Sequence, residues 1–315
     1  METIVIANPI YDTVFKHLME NTRVARFFVE TIINQPVERI AVTQQERTYL
    51  KMPPKYDGKE LTQEEVTKIA ELMSVLRYDY VATIRTPEGY KKVLIEIQKA
   101  RNLLDIMRFR DYLGEQYKRR DTIIVGDDET AEPLPIITIY LLGFELQDIE
   151  AVVVHVSRTY HDVIGGKDLE VKSEFIECLT HDSYIVQIPR IDGKCRSRLE
   201  KMLSIFEQND FFDEKCIIRQ FQQQFENDEE ELGLMVYILC RVAADPKQRE
   251  EIELEQRSKE FLEEYIAAKK KSVRQQLALE ENQKALAEKD KALAEKDKAL
   301  EELRKQLAAF QNIAK

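Results

Sequence analysis

The chain has 315 residues, of which 58 are acidic and 47 are basic, so its formal net charge is −11. Hydrophobic residues make up 43% of the sequence, which is enough for a folded core and excludes a wholly disordered protein. No apolar run approaches ~18 residues, and the N-terminus has no basic region before an apolar run, so we expect a cytoplasmic protein with no membrane span and no secretory signal.

The net charge argues against a protein that coats nucleic acid, but the charge is unevenly distributed. Residues 91–120 hold nine basic and four acidic side chains, whereas residues 145–182 hold nine acidic and three basic ones. The basic segment is either a surface that faces phosphate or the solvated side of a helix. The four cysteines, at 178, 195, 216 and 240, are far apart and contain no CxxC, which indicates reduced thiols.

In chain order, apolar residues at helical spacing predict a helix over Asn8–Asn34, and Thr62–Met73 is a second, shorter helix with a capping signal. Residues 51–60 form a loop. Leu76–Gln98 contains a β-hairpin, because two alternating runs flank a turn with Pro and Gly. Lys99–Arg120 is predicted to be helical.

The remaining part of residues 1–245 alternates strands with helices. Strands are predicted at Leu134–Leu146, Val152–Val156 and Tyr184–Ile188, and helices at Arg196–Gln208, Glu214–Phe225 and Glu230–Ala243. This order predicts an α/β or α+β domain over residues 1–245.

Residues 246–315 form a separate, charged segment with an internal repeat. KALAEKD occurs at 284–290 and again at 291–297, and leucines recur every seven residues at 279, 286, 293, 300 and 307. A seven-residue apolar period is typical of a coiled coil, although the second seam is weakly filled. The segment is therefore either a helix that joins copies of the chain into a homo-oligomer or a single solvated helix.

The residues most suited to chemistry lie in the hairpin. Asp79 enters its first strand, and Glu96 and Gln98 occupy one face of its second strand, VLIEIQ. Two carboxylates on neighbouring strands are hard oxygen ligands of the kind that Mg²⁺ prefers, and a lone buried carboxylate is costly. The alternative is a strand with one solvated face, on which Glu96 and Gln98 meet water.

The order Asp79, then Glu96-Ile97-Gln98-Lys99, resembles the PD-(D/E)XK nuclease superfamily, and in particular its Rpn branch of recombination-promoting nucleases and transposases. Members of that branch often have E-x-Q in place of the (D/E)-x-K of the superfamily. Asp12-Thr13-Val14-Phe15-Lys16 is similar to the opening helix of the family, DIMRFRDYLGEQY to the helix after the second core strand, and PIITIYLLGF to the apolar strand that follows. The resemblance covers about residues 7–145.

The resemblance implies an α/β restriction-endonuclease-like core, with a central mixed sheet flanked by helices, that hydrolyses DNA with Mg²⁺. Asp79 and Glu96 would bind the metal with the backbone carbonyl of Ile97, and Gln98 would orient water where the family usually has lysine. Lys16 would be a catalytic residue that supplies the missing positive charge, and Arg108 is a second source of that charge. The DNA contacts that we predict are Lys99, Arg101, Arg108, Arg110 and Tyr112. The last three either contact phosphate or only line the surface of a helix.

The leading functional hypothesis is thus a metal-dependent DNA endonuclease associated with recombination or transposition of mobile DNA. The alternatives are a catalytically weak or inactive relative that binds DNA or protein and oligomerises through its tail, and a purely structural coiled-coil adaptor. A zinc site built from His155, His161, Cys178 and His181 is a further hypothesis, although their spacing matches no common zinc finger. Motifs of NTPases, dinucleotide enzymes and α/β-hydrolases are absent from the sequence.

Overall fold

The computed structural model describes residues 3–44, 80–98, 103–125, 128–192, 196–207, 217–221 and 230–257, together with part of the stretch from 260 to 300. The chain divides into two compact units. One contains the described residues up to Gln256, and the other contains those from Arg257 onward.

The described strands and helices alternate along the first unit. The strands are β1 Thr3–Ala7, β2 Arg39–Gln44, β3 Tyr80–Thr86, β4 Gly89–Gln98, β5 Asp121–Val125, β6 Asp128–Glu132, β7 Ile136–Leu142, β8 Val153–Val156, β9 Tyr160–Asp162, β10 Lys167–Leu169, β11 His181–Gln187 and β12 Ile217–Phe221. The helices are α1 Asp12–Met19, α2 Thr22–Ile33, α3 Leu103–Lys118, α4 Glu174–Leu179, α5 Arg198–Ser204 and α6 Glu230–Ala244.

A mixed six-stranded sheet, in the order β2-β3-β4-β7-β11-β8, is the centre of this unit. β4, β7 and β11 run parallel, and the outer pairs are antiparallel. The predicted hairpin is confirmed over its described part, where Pro87 and Glu88 connect β3 to β4. The predicted apolar strand is confirmed as β7, which lies between β4 and β11. Its successive residues are nearly all buried, so both of its faces are covered.

The two faces of the sheet are packed differently. Val93, Ile95 and Ile97 of β4 belong to the large hydrophobic core, which also contains residues of α1, α2, α5 and α6. Three aromatic rings, those of Phe15, Phe28 and Phe206, pack against one another in this core.

On the other face, a smaller cluster joins Tyr112 of α3 to Leu94 of β4, Val81 of β3 and Ile136 of β7. Helices therefore cover both faces of the mixed sheet, as the predicted fold class requires.

Two sequence-based predictions about the secondary structure are wrong. The helix predicted over Asn8–Asn34 is two helices, because the side chain of Asn21 accepts hydrogen bonds from the backbone N–H groups of Arg23 and Val24 and starts α2 there. The helix predicted over Glu214–Phe225 contains the strand β12 at Ile217–Phe221, which pairs with β1 in an antiparallel ladder. The helix predicted over Thr62–Met73 lies outside the described residues.

Residues 246–256 are helical and end the first unit. The Asp245 side chain accepts a hydrogen bond from the backbone N–H of Lys247, and Pro246 occupies the first turn, which is a favourable helix start. Near the end of this helix, Glu255 is buried and both of its carboxylate oxygens accept hydrogen bonds, from the backbone N–H groups of Asp12 and Thr13. Glu255, near the C-terminal end of the first unit in sequence, thus caps the N-terminus of α1.

In the second unit, the described residues between Glu260 and Leu300 are helical. The four described leucines of the seven-residue period are exposed, by 53% at Leu300, 59% at Leu279 and 63% at Leu286 and Leu293.

Candidate active site on the polar face of the sheet

The even-numbered residues of β4 place charged groups inside the protein. Lys92, Leu94, Glu96 and Gln98 share the face of the strand that α3 covers. Lys92 is 1% exposed and Glu96 is 4% exposed, so neither side chain meets bulk water. The alternative from the sequence, in which Glu96 lies on a solvated face, is therefore wrong. A buried carboxylate requires a compensating charge or hydrogen bonds.

Tyr140 is the neighbour of Glu96 across the parallel ladder between β4 and β7. Burial raises the pKa of the Tyr140 phenol well above its usual value; a hydrogen bond with Thr138 opposes this shift, and the charge of Glu96 adds to it. The Tyr140 ring also packs edge-on against Phe109 of α3, with ring centroids 4.6 Å apart. The carboxylate of Glu96 thus sits beside a neutral phenol and an apolar helix face.

The backbone of β4 directs the carbonyl of Ile97 away from β7. The backbone N–H of Lys92 donates to the carbonyl of Pro135, just before β7, and the carbonyl of Gln98 accepts from the N–H of Gly143, just after β7. The even-numbered residues of β4 therefore form their backbone hydrogen bonds with the β7 side. Odd-numbered residues, including Ile97, therefore direct their backbone groups toward β3. This is the strand that follows Asp79 in the sequence.

Gln98 occupies the end of the same face, at the last position of β4. Its side-chain nitrogen Nε2 is buried and has no hydrogen-bond partner among the described residues. An amide nitrogen without a partner inside a protein is costly, so a ligand or ordered water that accepts its proton would be favoured at this position.

Lys92 does not take the place of the missing catalytic lysine. Its Nζ lies 2.7 Å from Oδ2 of Asp121 and 3.4 Å from the backbone and side-chain oxygens of Gln116. Glu96 is four residues further along the strand, about 13 Å away at ~3.3 Å per residue. Lys92 is a structural cation that ties the end of α3 and the start of β5 to the sheet.

The other residues singled out from the sequence are distributed as follows. Lys16 is half-buried on α1, whose apolar residues pack in the large core on the opposite face of β4 from Glu96. Arg110 is exposed on α3, whereas Tyr112 is 9% exposed and packs between α3 and the sheet. Asp79, Lys99 and Arg101 lie outside the described residues, as does the side chain of Arg108.

The described residues include oxygen donors that would suit a magnesium site. Among the residues that the structure describes, no three His, Cys, Asp or Glu side chains come together as a metal-binding group. Mg²⁺ binds through as few as one or two carboxylates, keeps several waters and completes its shell with substrate phosphate. Glu96 and the carbonyl of Ile97 are hard oxygen donors of this kind, so the residues present are compatible with Mg²⁺, and Asp79 is the remaining carboxylate of the prediction.

The zinc hypothesis is not supported, because its four residues have separate partners. His155 stacks on Tyr184, His161 pairs with Asp168, the Cys178 thiol donates to the carbonyl of Pro133, and His181 Nδ1 lies 2.7 Å from the hydroxyl of Tyr117. Burial, followed by the charges of nearby acidic side chains, raises the pKa of the Cys178 thiol, so it is not predisposed to form a thiolate ligand.

Sequence reasoning missed Thr138 and Tyr140, which complete the polar face beside Glu96. They stand two residues apart in the apolar strand IITIYLL, so the alternation that identified Glu96 and Gln98 in β4 also distinguishes these two residues. The polar row continues on β11, where the hydroxyl of Thr138 donates to Ser183 at 2.8 Å. Polar side chains thus extend across three parallel strands.

No protein-family model, curated protein or solved structure matches the chain. Within the part of the chain that the structure describes, no helix has the length and apolar character needed to cross a membrane.

Proposed function

We propose that the protein is a metal-dependent DNA endonuclease that hydrolyses phosphodiester bonds, with a role in recombination or transposition of mobile DNA. The observation that carries the proposal is the carboxylate of Glu96, buried at the end of a central strand of a mixed sheet, on a face lined by further polar side chains. The resemblance of the hairpin and the following elements to the Rpn branch of the PD-(D/E)XK nucleases supplies the class of reaction.

The pairing of the hairpin supports a site shared by Glu96 and Asp79. Tyr80 pairs with Ile95 and Val81 with Leu94. Tyr80 directly follows Asp79 in the sequence, and Ile95 directly precedes Glu96. Because adjacent Cα atoms are about 3.8 Å apart, covalent geometry keeps Asp79 close to the end of β4 that carries Glu96.

In this proposal, Asp79, Glu96 and the carbonyl of Ile97 hold Mg²⁺. When bound, the ion polarises a phosphoryl oxygen and lowers the pKa of a water. Gln98 would orient the attacking water through its amide. The buried Nε2, which has no hydrogen-bond partner among the described residues, is consistent with that task. The amide supplies no charge. Because α1 packs on the opposite face of β4 from Glu96 and α3 covers the Glu96 face, Arg108 of α3 rather than Lys16 is the proposed source of positive charge.

The proposed DNA contacts lie on the basic segment that follows β4. Arg110 is exposed on α3 and can reach phosphate from the surface. Lys99, Arg101 and Arg108 are proposed as further contacts from their place in the same basic segment of the sequence. Tyr112 was also predicted to contact DNA, but its burial against Leu94 makes it a support for α3 in this proposal. The acidic chain as a whole makes DNA binding local and sensitive to salt.

The second unit is proposed to join copies of the chain. Its four described leucines of the seven-residue period are more than half exposed, and a coiled coil with another copy would bury them. A homo-oligomer through residues 246–315 would bring several nuclease sites together on one DNA molecule.

One observation favours the alternative, a weak or inactive nuclease-like module that binds DNA or protein. Gln98 stands where the family usually has lysine, and Lys92, the buried lysine of the same strand, is engaged with Asp121. If the missing charge is not supplied from elsewhere, the site would bind metal and DNA with little hydrolysis.

Nicking of supercoiled plasmid in Mg²⁺ tests the proposal. We expect nicking by the wild type and a loss of at least 100-fold in Asp79→Asn and Glu96→Gln, since each removes a negative metal ligand. Glu88→Gln is the matched control, because Glu88 is 59% exposed on the turn of the same hairpin and should not affect the rate. We also expect Gln98→Lys to raise activity by supplying the charge that the amide lacks.

Equal nicking by wild type, Asp79→Asn and Glu96→Gln would contradict the nuclease proposal. A wild type that retards DNA in a gel without nicking it, in the presence of Mg²⁺ or Mn²⁺, would support the binding module instead.

A further inference from the structure

Exposed apolar side chains are concentrated in one short segment of the first unit. Of the ten large hydrophobic residues exposed in its described part, eight fall between Val156 and Leu179. We name six of them the outer apolar surface; their exposed fractions run from 40% to 99%, and they are Val163, Ile164, Val171, Phe175, Ile176 and Leu179. Scattered exposed apolar residues are ordinary, but a cluster of this kind marks an interaction site.

The helix α4 within this segment has its polar side turned inward. Phe175, Ile176 and Leu179 fall within about 100° of the helix circumference, at 3.6 residues per turn. Phe175 is 72% and Leu179 is 61% exposed. On the opposite side, Glu177 is only 15% exposed. A surface helix normally buries its apolar stripe, whereas α4 buries a polar side and exposes its apolar one.

Polar contacts hold α4 in this orientation. Arg158 binds the carboxylate of Glu177 at 2.6 Å and lies 3.2 Å from that of Asp182, and its own side chain is 18% exposed. Tyr160 of β9 donates its hydroxyl to Glu177 at 2.7 Å, and the Cys178 thiol donates to the carbonyl of Pro133. Because these groups fix the inner side, Phe175 and Leu179 are presented outward in a defined arrangement.

The surroundings of the outer apolar surface are acidic. Residues 145–182 hold nine acidic and three basic side chains. Three of these carboxylates, on Asp168, Glu170 and Glu174, are exposed, and they outnumber the two exposed lysines of the segment, Lys167 and Lys172. The pKa of the Cys178 thiol on α4 is raised by burial and then by the charges of Glu174, Glu177 and Glu132, which indicates a negative potential there.

We propose that the outer apolar surface is a docking site for a basic amphipathic helix of another protein, whose apolar residues cover Phe175 and Leu179 while its lysines and arginines face the surrounding carboxylates. The negative charge disfavours anionic lipid and nucleic acid as the occupant. It also disfavours a second copy of this chain, because a two-fold interface places the same surface against itself and opposes carboxylate to carboxylate.

A synthetic helical peptide of Leu and Lys at amphipathic spacing, labelled with fluorescein, is the probe. Fluorescence anisotropy with the full chain should show binding of this peptide and no binding of the analogue with Glu in place of every Lys. The double variant Phe175→Ser/Leu179→Ser should bind at least ten-fold more weakly, since apolar anchors dominate interface energies. Val171→Ser, which alters a side chain that is 77% exposed, should weaken binding independently.

Tyr237→Ser is the matched control, because Tyr237 is 58% exposed on α6, outside the outer apolar surface. It should change the affinity by less than two-fold. The proposal is overturned if the double variant and Val171→Ser bind the Lys peptide as the wild type does, or if the Glu peptide binds equally well. It is also overturned if the surface instead binds phosphatidylglycerol vesicles, or if the double variant converts a dimer of the full chain into a monomer.

Discussion

Lys92 provides a stability prediction that follows from its burial. The side chain is 1% exposed, and its Nζ forms an ion pair of 2.7 Å with Asp121, whose side chain is 13% exposed. Lys92→Met keeps most of the aliphatic volume but leaves the Asp121 carboxylate without its cation. Removal of one partner of a buried ion pair costs about 3–5 kcal/mol, so we expect the free energy of unfolding to fall by about that amount.

Urea unfolding followed by circular dichroism measures this loss. Lys91→Met is the matched control at the neighbouring position, because Lys91 pairs at 2.7 Å with Glu88, which is 59% exposed. A pair of this kind contributes about 1 kcal/mol or less. In Lys92→Met/Asp121→Leu the charge that was left unpaired is also removed, and part of the stability should return. A Lys92→Met variant within about 0.5 kcal/mol of the Lys91→Met variant would refute the reasoning.

Three further predictions concern Glu255, which caps α1, the histidine His181, and Asn34, which ends α2. Glu255→Ala removes the acceptor for two backbone N–H groups of α1, so it should lower the free energy of unfolding by about 1–3 kcal/mol. Glu250→Ala changes an exposed residue of the same helix and is the control. In urea titrations it should change the free energy of unfolding by less than about 0.5 kcal/mol. Burial, followed by the charge of Arg158, holds the pKa of His181 below its usual value of about 6.5, so the unfolded chain takes up the proton first as the pH falls. Wild-type stability should therefore decrease as the pH falls from about 7.5 through 6.5 toward the folded pKa, and His181→Phe should flatten this dependence in urea midpoints measured across that range; parallel curves would contradict the assignment. Asn34 ends α2 in the left-handed region at φ 51°, so Asn34→Gly should be tolerated, whereas Asn34→Ala should cost about 1 kcal/mol in thermal unfolding; equal melting temperatures for the two variants would argue against this.

Elements with a strong local period are predicted well from this sequence. The β3–β4 hairpin, the helix α3 and the strand β7 occur inside the predicted ranges, because alternation, helical spacing and the Pro-Gly turn are local signals. The strand β12 is not predicted, since its partner β1 lies more than 200 residues earlier and its own five residues carry no decisive period. Pairing between such distant segments is decided by tertiary contacts.

The candidate site is likewise predicted well where the signal is local and poorly where it depends on residues distant in the sequence. Alternation in VLIEIQ places Glu96 and Gln98 on one face, as the structure has them. The burial of Lys92 could not be inferred, because its counter-ion Asp121 stands 29 positions away and on another strand. Thr138 could have been identified from the same alternation in β7, but its contact with Ser183 depends on the parallel register of two strands joined by a long connection.

Isothermal calorimetry of Mg²⁺ or Mn²⁺ binding to the full chain tests the central claim most directly, because the claim is that Asp79 and Glu96 together hold a divalent cation. We predict one site in the wild type, a loss of at least ten-fold in affinity in Asp79→Asn and in Glu96→Gln separately, and no change in Glu88→Gln. Heats that are the same for the wild type and for both site variants would contradict the account.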